Sequence, residues 1–321
     1  MKRQTRSWGV VVVMAVAASL VVGWSGFAAG AGKDAGGQQA KAKARAKKPA
    51  LLDPTFKDVA YGPHKRQRLN FWQAKSEKPT AVLVQIHGGG WLGGRKSEKA
   101  SPRVLAGGVS YCSINYRLAT TDVLPASVMD AARAIQFLRT KAGEWRIDAR
   151  RIVVQGGSAG GASSLWLAYH DDLADPNSPD PVLRESSRVA GAIAMGGQTT
   201  LDPFVIRKRI GIAGARHPMI WRTVGAKSLA DLEANWAKHK ALSLACSPVT
   251  HVTKDDPPVY VRYGVETKVP VVKGDGIHHP GFGRILKARC DEVGVECFLE
   301  IRGGERPKIT SSQFLQRIVS K

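Results

Sequence analysis

Residues 151–164 read Arg151-Ile-Val-Val-Gln-Gly-Gly-Ser-Ala-Gly-Gly-Ala-Ser-Ser164, and this stretch holds the strongest structural signal in the chain. Its β-branched run, Ile152 to Val154, predicts a buried parallel strand. The strand leads into the pentapeptide Gly156-Gly-Ser-Ala-Gly160, and apolar residues at helical spacing follow from Ala162 to Tyr169. A strand, a Gly-x-Ser-x-Gly turn and a helix in this order predict a sharp turn that exposes the hydroxyl group of Ser158.

The chemistry of a serine nucleophile requires these residue types at these positions. A hydroxyl group on a strained turn tolerates only small neighbours, which explains glycine two residues before and after Ser158. The helix that follows directs free amides and the positive end of its dipole toward the reacting oxygen. The alternative interpretation is a glycine-rich β–α turn in which the serine is incidental.

A second glycine-rich motif follows another predicted strand. The apolar run Ala81–Ile86 ends in His87-Gly-Gly-Gly-Trp91. Three glycines after a strand leave successive backbone amides free, which is how an oxyanion hole is built from the main chain. In this interpretation His87 orients the loop and is not a catalytic base.

Predicted strands and helices alternate along the rest of this half of the chain. Residues 109–117 and 189–195 have the composition of buried strands, and a helical apolar pattern begins after Pro125. Strands that alternate with helices imply right-handed crossovers and a mostly parallel sheet. The fold class is therefore α/β.

Three motifs together carry a resemblance to a known family. His87-Gly-Gly-Gly-Trp91, Asn115-Tyr-Arg-Leu118 and Gly156-Gly-Ser-Ala-Gly160 resemble the α/β-hydrolase fold. Within that fold they are similar to the carboxylesterases related to hormone-sensitive lipase and to bacterial feruloyl-esterase-like enzymes. The resemblance runs from about residue 51 to the end of the chain.

The resemblance implies an arrangement and a set of roles. It implies a mostly parallel central sheet with helices on both faces and a small cap-like insertion at about residues 201–247. It also implies that Ser158 is the nucleophile and that the amides of Gly89, Gly90 and Ala159 form the oxyanion hole. It implies no cofactor, and the sequence contains no metal-ligand pattern.

A serine hydrolase of this chain order needs an acid after the next strand and a histidine after the last one. Residues 257–264 predict the next strand, and Glu266 follows where the family usually carries aspartate. Because glutamate can also orient a histidine, Glu266 is the predicted acid. Asp275, in the same loop, is the second candidate, and a solvated loop carboxylate is the alternative for either.

The histidine is missing from its expected position. The last predicted strand, residues 297–301, is followed by Arg302-Gly-Gly-Glu-Arg-Pro307, and no histidine occurs after His279. Arginine stays protonated and a solvated glutamate is a weak base, so neither replaces it. We therefore predict that His278 or His279 acts as the base from a neighbouring loop. The alternative is a pair of helix-start histidines bonded to the backbone.

The first fifty residues predict a targeting segment. A basic start, the apolar run Val10–Val22 and the small residues Ala29-Gly-Ala31 are typical of a secretory signal peptide over residues 1–31. Residues 32–50 predict a flexible basic linker, and residues 51–321 a single domain. The chain is thus predicted to be exported, to the periplasm or beyond. An uncleaved N-terminal anchor is the alternative.

Charge and cysteine content limit the partners. The 321 residues carry a formal charge of +22, and residues 51–321 retain +14 of it. Such a field favours an anionic envelope surface as a neighbour, but no specific nucleic-acid motif is present. Of four cysteines, Cys112 is predicted to be a buried thiol. Cys290 and Cys297 are able to pair in an oxidising compartment, and Cys246 is a possible partner for any of them.

The sequence therefore predicts an exported serine hydrolase, specifically a carboxylesterase that acts on a small-molecule ester through Ser158. Two alternatives remain. One is a catalytically silent binding protein of the same fold, associated with the cell envelope, since the base is absent from its usual place. The other is a serine peptidase-like hydrolase.

Overall fold

The computed structural model describes residues 50–105 and 107–320. The predicted signal peptide and all but the last residue of the predicted linker lie outside the described residues. The strands are β1 (Phe56–Ala60), β2 (Arg68–Trp72), β3 (Thr80–Ile86), β4 (Ser110–Ile114), β5 (Ile147–Gly157), β6 (Gly191–Met195), β7 (Val259–Tyr263) and β8 (Cys297–Ile301). The helices are α1 (Pro102–Leu105), α2 (Ala126–Thr140), α3 (Ala159–Tyr169), α4 (Pro203–Arg209), α5 (Ile212–Ala215), α6 (Pro218–Trp221), α7 (Leu229–Ala234), α8 (Trp236–Ala245), α9 (Gly281–Val293) and α10 (Ser311–Val319).

The eight strands form one sheet in the order β1-β2-β4-β3-β5-β6-β7-β8. The pairs β1–β2 and β2–β4 are antiparallel, and every other neighbouring pair is parallel. The carboxyl ends of β3, β5, β6, β7 and β8 therefore share one edge, and the loops that follow these strands meet there. The predicted α/β class and mostly parallel sheet are confirmed.

Two apolar cores cover the two faces of the sheet. On β3, Val82, Val84 and Ile86 belong to one core, while Ala81 and Leu83 belong to the other. This alternation follows from the two-residue period of a strand. Helices α2, α3 and α9 pack on the first face and α10 on the second, so helices lie on both faces, as the resemblance implied.

Helix α3 packs unusually close to the sheet because glycines replace side chains at the contact. A Cβ atom on Gly160 would lie 2.1 Å from the carbonyl oxygen of Ile86, which no side chain can tolerate. The close approach brings the start of α3 against the carboxyl end of β3. The same contact brings Ser158, the residue before α3, next to the glycine loop that follows β3.

Residues 201–247, the cap-like insertion of the sequence prediction, form the five short helices α4–α8 and one 3₁₀ turn. The insertion is tied to the loop after β7, because the amide of Val271 donates to the carbonyl of Ile210 (2.7 Å) and the amide of Ala213 to the carbonyl of Val271 (2.9 Å). It therefore borders the edge of the sheet where the functional loops meet.

All four cysteines are buried free thiols, so the pairing considered for Cys290 and Cys297 is not present. The hydroxyl of Tyr169 lies 3.3 Å from Sγ of Cys290, and burial raises the pKa of the Cys246 thiol to about 12. Cys112 is buried as predicted. In the described part of the chain, no helix is both long and apolar enough to span a bilayer.

Candidate active site

Ser158 occupies the sharp turn between β5 and α3. Its backbone has φ 54° and ψ −124°, a left-handed conformation that costs a non-glycine residue about 1–3 kcal/mol. The surrounding structure holds it there, since its amide donates to the carbonyl of Met195 (2.8 Å) and its carbonyl accepts from Ala162 (2.9 Å). The side chain is only partly buried. The sequence prediction of a strained turn with an accessible hydroxyl matches this geometry.

His278 is hydrogen-bonded to that hydroxyl. Its Nε2 atom lies 2.9 Å from Oγ of Ser158, and its Nδ1 atom lies 2.9 and 2.8 Å from the two carboxylate oxygens of Asp275. Because a carboxylate only accepts, Nδ1 must carry the proton, and Nε2 of the neutral ring is free to accept from the serine. Ser158, His278 and Asp275 thus form one continuous hydrogen-bonded chain, the arrangement that a serine nucleophile, its base and an orienting acid require.

The predicted acid, Glu266, is not part of this chain. Its carboxylate is ion-paired with the guanidinium of Arg284 in α9, which also binds Glu305. These bonds hold Glu266 against the helix and away from His278. The second candidate, Asp275, is the carboxylate that meets the imidazole, because it precedes His278 by three residues within one turn of the same loop.

His279 has the structural role that was considered for the pair. Its Nδ1 accepts from the amide of Gly281 (2.9 Å) at the start of α9, and its Nε2 lies 3.0 Å from the carbonyl of Thr267. The ring is buried. Neighbouring histidines therefore diverge: His278 faces the serine, and His279 fixes the loop to the helix.

Two residues that follow β6 contact His278 or the residue before it. The buried Gln198 donates from Nε2 to the carbonyl of Ile277 (2.7 Å), directly before His278. Gly196 has φ 58°, and a Cβ atom there would lie 3.4 Å from the His278 ring. A glycine at this position lets the imidazole lie against the backbone. Neither contact has a sequence pattern, because both join segments about 80 residues apart.

The predicted oxyanion residues lie in the glycine loop after β3 and at the start of α3, the two segments next to Ser158. Gly89 and Gly90 have φ 101° and 63°, and the preceding Gly88 lies against the serine turn so closely that a Cβ atom there would lie 2.7 Å from the carbonyl oxygen of Gly157. Within the described residues, the amides of Gly89, Gly90 and Ala159 donate no hydrogen bond outside regular helix and strand pairing. Ala159 begins α3 and so has no intrahelical acceptor.

His87 supports the glycine loop, as predicted. Its Nδ1 is 2.8 Å from the carbonyl of Gly88, and its ring stacks on Tyr116 with centroids 4.1 Å apart. Burial lowers the pKa of His87 to about 4, so the ring is neutral at neutral pH. Trp91, also buried, donates from Nε1 to Ser163 Oγ (2.9 Å). Both residues are structural.

One further side chain reaches the site from the insertion. His217 precedes α6, and its Cε1 atom lies 4.0 Å from the position that a Cβ atom on Gly90 would occupy. Burial, and secondarily the charge of His278, lower the pKa of His217. His217 could not be predicted from the sequence, because the insertion has no motif. Among the described residues, no cluster of three or more His, Cys, Asp or Glu side chains is arranged to hold a metal ion.

The chain has clear relatives. Over 230 residues it is 29% identical to the probable carboxylic ester hydrolase LipM of Mycobacterium tuberculosis, covering 68% of this chain and 50% of LipM. It is 26% identical to esterase LipQ of the same organism, covering 64% of this chain and 48% of LipQ. The chain thus spans about half the length of these relatives.

Solved structures share the fold at low identity. An acetyl ester-xyloside bifunctional hydrolase from Caldicellulosiruptor lactoaceticus superposes with a TM-score of 0.59 at 20% identity, covering 79% of this chain and 86% of that one. A truncated carbohydrate esterase from gut microbiota gives 0.61 at 20% identity, covering 83% and 96%.

A match to the sequence model of one family is more specific than the similarity to these solved structures. The sequence model of the BD-FAE family matches residues 71–278, which begin in β2 and end at the histidine beside Ser158. This range includes both glycine motifs and the strained serine turn. The chain therefore has the α/β-hydrolase fold and belongs to the BD-FAE family.

Proposed function

We propose that this protein is a serine carboxylesterase that cleaves a small ester by acyl transfer through Ser158. The observation that carries the proposal is the continuous hydrogen-bonded chain from Ser158 Oγ through both nitrogens of His278 to Asp275. A serine hydroxyl becomes a useful nucleophile when a base accepts its proton and a third group orients that base. Here all three groups are within hydrogen-bond distance.

The first half of the reaction forms an acyl-enzyme. Ser158 Oγ attacks the ester carbonyl carbon while its proton moves to His278 Nε2. The carbonyl oxygen takes up the negative charge, which the free amides of Gly89, Gly90 and Ala159 stabilise. The tetrahedral intermediate then collapses, the bond to the alcohol oxygen breaks, and His278 gives that oxygen the proton.

The second half releases the acid. A water molecule gives a proton to His278 Nε2 and adds to the acyl carbon. When this intermediate collapses, the bond to Ser158 Oγ breaks, and Oγ recovers the proton from His278. The products are one carboxylic acid and one alcohol. Asp275 holds the imidazole in the required tautomer and stabilises its charged form in both halves.

The names of the relatives support ester substrates over amides. LipM and LipQ are named as a carboxylic ester hydrolase and an esterase, and the structural neighbours are named as ester-cleaving enzymes. We extend that activity to this chain because the site contains the required groups.

A fluorophosphonate probe tests the proposal directly, because it reacts only with an activated serine. We expect wild-type protein to be labelled and Ser158→Ala to remain unlabelled. Ser76→Ala is the matched control, since Ser76 is exposed between β2 and β3 and its loss should not affect labelling.

Three outcomes separate the alternatives. No labelling of the wild type would indicate a catalytically silent binding protein of this fold. Equal labelling of wild type and Ser158→Ala would mean that another residue reacts. Serine-dependent labelling together with cleavage of peptide amides, but not of short acyl esters, would favour the peptidase-like alternative.

We also propose that the protein is exported and contacts an anionic envelope surface. The basic start and apolar run of residues 1–31 and the charge of +14 on residues 51–321 support this proposal. Mass spectrometry of the secreted protein is expected to find an N-terminus near residue 32. A mature protein that retains Met1 would instead support an uncleaved anchor.

A further inference from the structure

His217 lies directly before the short helix α6 in the insertion. Its side chain caps that helix, because Nδ1 accepts a hydrogen bond from the amide of Met219 (3.2 Å). A backbone amide can only donate, so Nδ1 carries no proton in this contact. The neutral ring therefore carries its single proton on Nε2.

His217 also faces the reacting groups. Its Cε1 and the Cβ of Met219 lie 4.0 and 3.6 Å from the position that a Cβ atom on Gly90 would occupy. The preceding helix, α5, packs on the loop that holds Asp275 and His278, because a Cβ atom on Gly276 would lie 2.4 Å from the amide nitrogen of Gly214. The charges of His278 and Asp275 accordingly act on the pKa of His217. His217 thus borders the space between the oxyanion loop and the base.

The two ring nitrogens of His217 differ in their contacts. Within the described residues, Nε2 makes no hydrogen bond, whereas Nδ1 is used by the helix cap. The side chain is partly buried and Nε2 is not among the fully enclosed unpaired atoms. Burial and the neighbouring His278 lower the pKa, so at neutral pH the ring offers an uncharged N–H donor to the site.

We propose that the Nε2–H group of His217 donates a hydrogen bond to an oxygen in the alcohol half of the substrate. The alcohol half is the part nearest to His278, because His278 delivers its proton to the departing alcohol oxygen. A side chain that borders both His278 and Gly90 therefore meets the alcohol. The preferred substrate is an ester whose alcohol carries a second acceptor oxygen close to the ester bond. This inference rests on the proposed esterase function.

Two esters of equal shape test the inference. In 2-methoxyethyl acetate an ether oxygen replaces one methylene group of butyl acetate, and the two molecules are otherwise alike. We expect wild-type protein to have the higher kcat/KM for the methoxyethyl ester. In His217→Asn that preference, the ratio of the two kcat/KM values, should fall about threefold to tenfold, the value of one hydrogen bond.

The variant His217→Asn separates the effect of losing the N–H donor from the effect of losing the helix cap. Asparagine is a favoured capping residue, so His217→Asn keeps an acceptor for the Met219 amide but loses the imidazole N–H. His217→Ala loses both, and should show the same ester preference as His217→Asn with a lower melting temperature. This difference separates substrate binding from stability.

Other results would contradict either this inference or the esterase proposal. An unchanged preference in both variants, or an equal fall for both esters, would overturn the inference while leaving the esterase proposal intact. Hydrolysis of neither ester by wild-type protein that also resists the fluorophosphonate probe would overturn the esterase proposal, and this inference with it.

Discussion

The loop between β7 and α9 and the loop between β8 and α10 leave adjacent parallel strands at the same edge of the sheet. The first holds both Asp275 and His278. The second, where the resemblance led us to expect the histidine, holds Glu305, which binds Arg284 of α9. A serine hydrolase site is defined by where its groups lie in space, so a histidine from a neighbouring loop can reach the serine.

The position of Asp275 and His278 in one loop has a physical consequence. Asp275 and His278 are separated by a single turn, and the Asp275 side chain is 64% exposed. Their mutual orientation thus depends on the local path of the loop more than on the packing of two strands. The contacts of Gln198 and His279 with this loop supply the rigidity that strand ends would otherwise provide.

The largest expected effect separates the two histidines of the first loop. Replacing His278 with alanine removes the base and should lower kcat on a short acyl ester by about 10⁴-fold or more. His279→Asn is the matched control, because asparagine can still accept from the Gly281 amide, and its kcat should stay far closer to wild type. Steady-state kinetics measure both. Equal activities of His278→Ala and wild type would remove His278 from the mechanism.

The next effect separates the two carboxylates of that loop. Asp275→Asn should lower kcat by about 10²- to 10⁴-fold, because the amide no longer enforces the tautomer in which Nε2 accepts from Ser158. Glu266→Gln loses only an exposed ion pair with Arg284, which contributes little, so its turnover should stay near wild type. If Glu266→Gln were the more damaging change, the acid would be Glu266 after all.

The residues of the candidate site also show how much of it could be predicted from the sequence. The strained serine turn follows from a local pattern of glycines between a strand and a helix, so Ser158 was found from the sequence. The absence of a later histidine predicts His278 or His279 as the base without choosing between them, and the structure brings His278 to Ser158. The sequence favours Glu266 as the acid, whereas the structure places Asp275 beside His278, because Arg284, a residue of the next helix, binds Glu266. Contacts between distant segments, such as Gln198 with Ile277, have no sequence pattern.

A smaller effect tests whether the first loop needs its support from β6. Gln198→Met keeps the size of the side chain but removes the hydrogen bond to the Ile277 carbonyl. A slightly displaced base should lower kcat about tenfold with KM nearly unchanged. On this prediction Gln198 acts through His278 and is a positioning residue.

Thr199→Val is the control for the loss of a buried hydrogen bond. Thr199 donates from Oγ1 to the carbonyl of Phe282 in α9 (2.8 Å) and does not contact the base. Both variants should lose about 1–3 kcal/mol of stability, but only Gln198→Met should lose kcat. Equal kcat values at equal stability would show that Gln198 supports the fold alone.

The last prediction concerns His87, which supports the glycine loop after β3. Its replacement should have the smallest effect on turnover and the clearest effect on stability. Burial lowers the pKa of His87 to about 4 from an ordinary value of 6.5. Between these values the unfolded chain binds a proton that the folded chain does not, so stability rises with pH. This contribution is fully present above about pH 6.5 and is lost as the pH falls to about 4, on the order of 3 kcal/mol in total.

His87→Asn should remove this pH dependence. Asparagine can donate to the Gly88 carbonyl as Nδ1 of His87 does, yet it does not titrate. Urea denaturation at pH 4.5 and pH 7.5 should therefore give a larger stability difference in the wild type than in the variant. His251→Asn is the matched control, because His251 is a less buried histidine whose pKa burial also lowers. If His87→Asn and His251→Asn both keep the full wild-type difference in stability between pH 4.5 and pH 7.5, the acid sensitivity of the fold arises from groups other than His87.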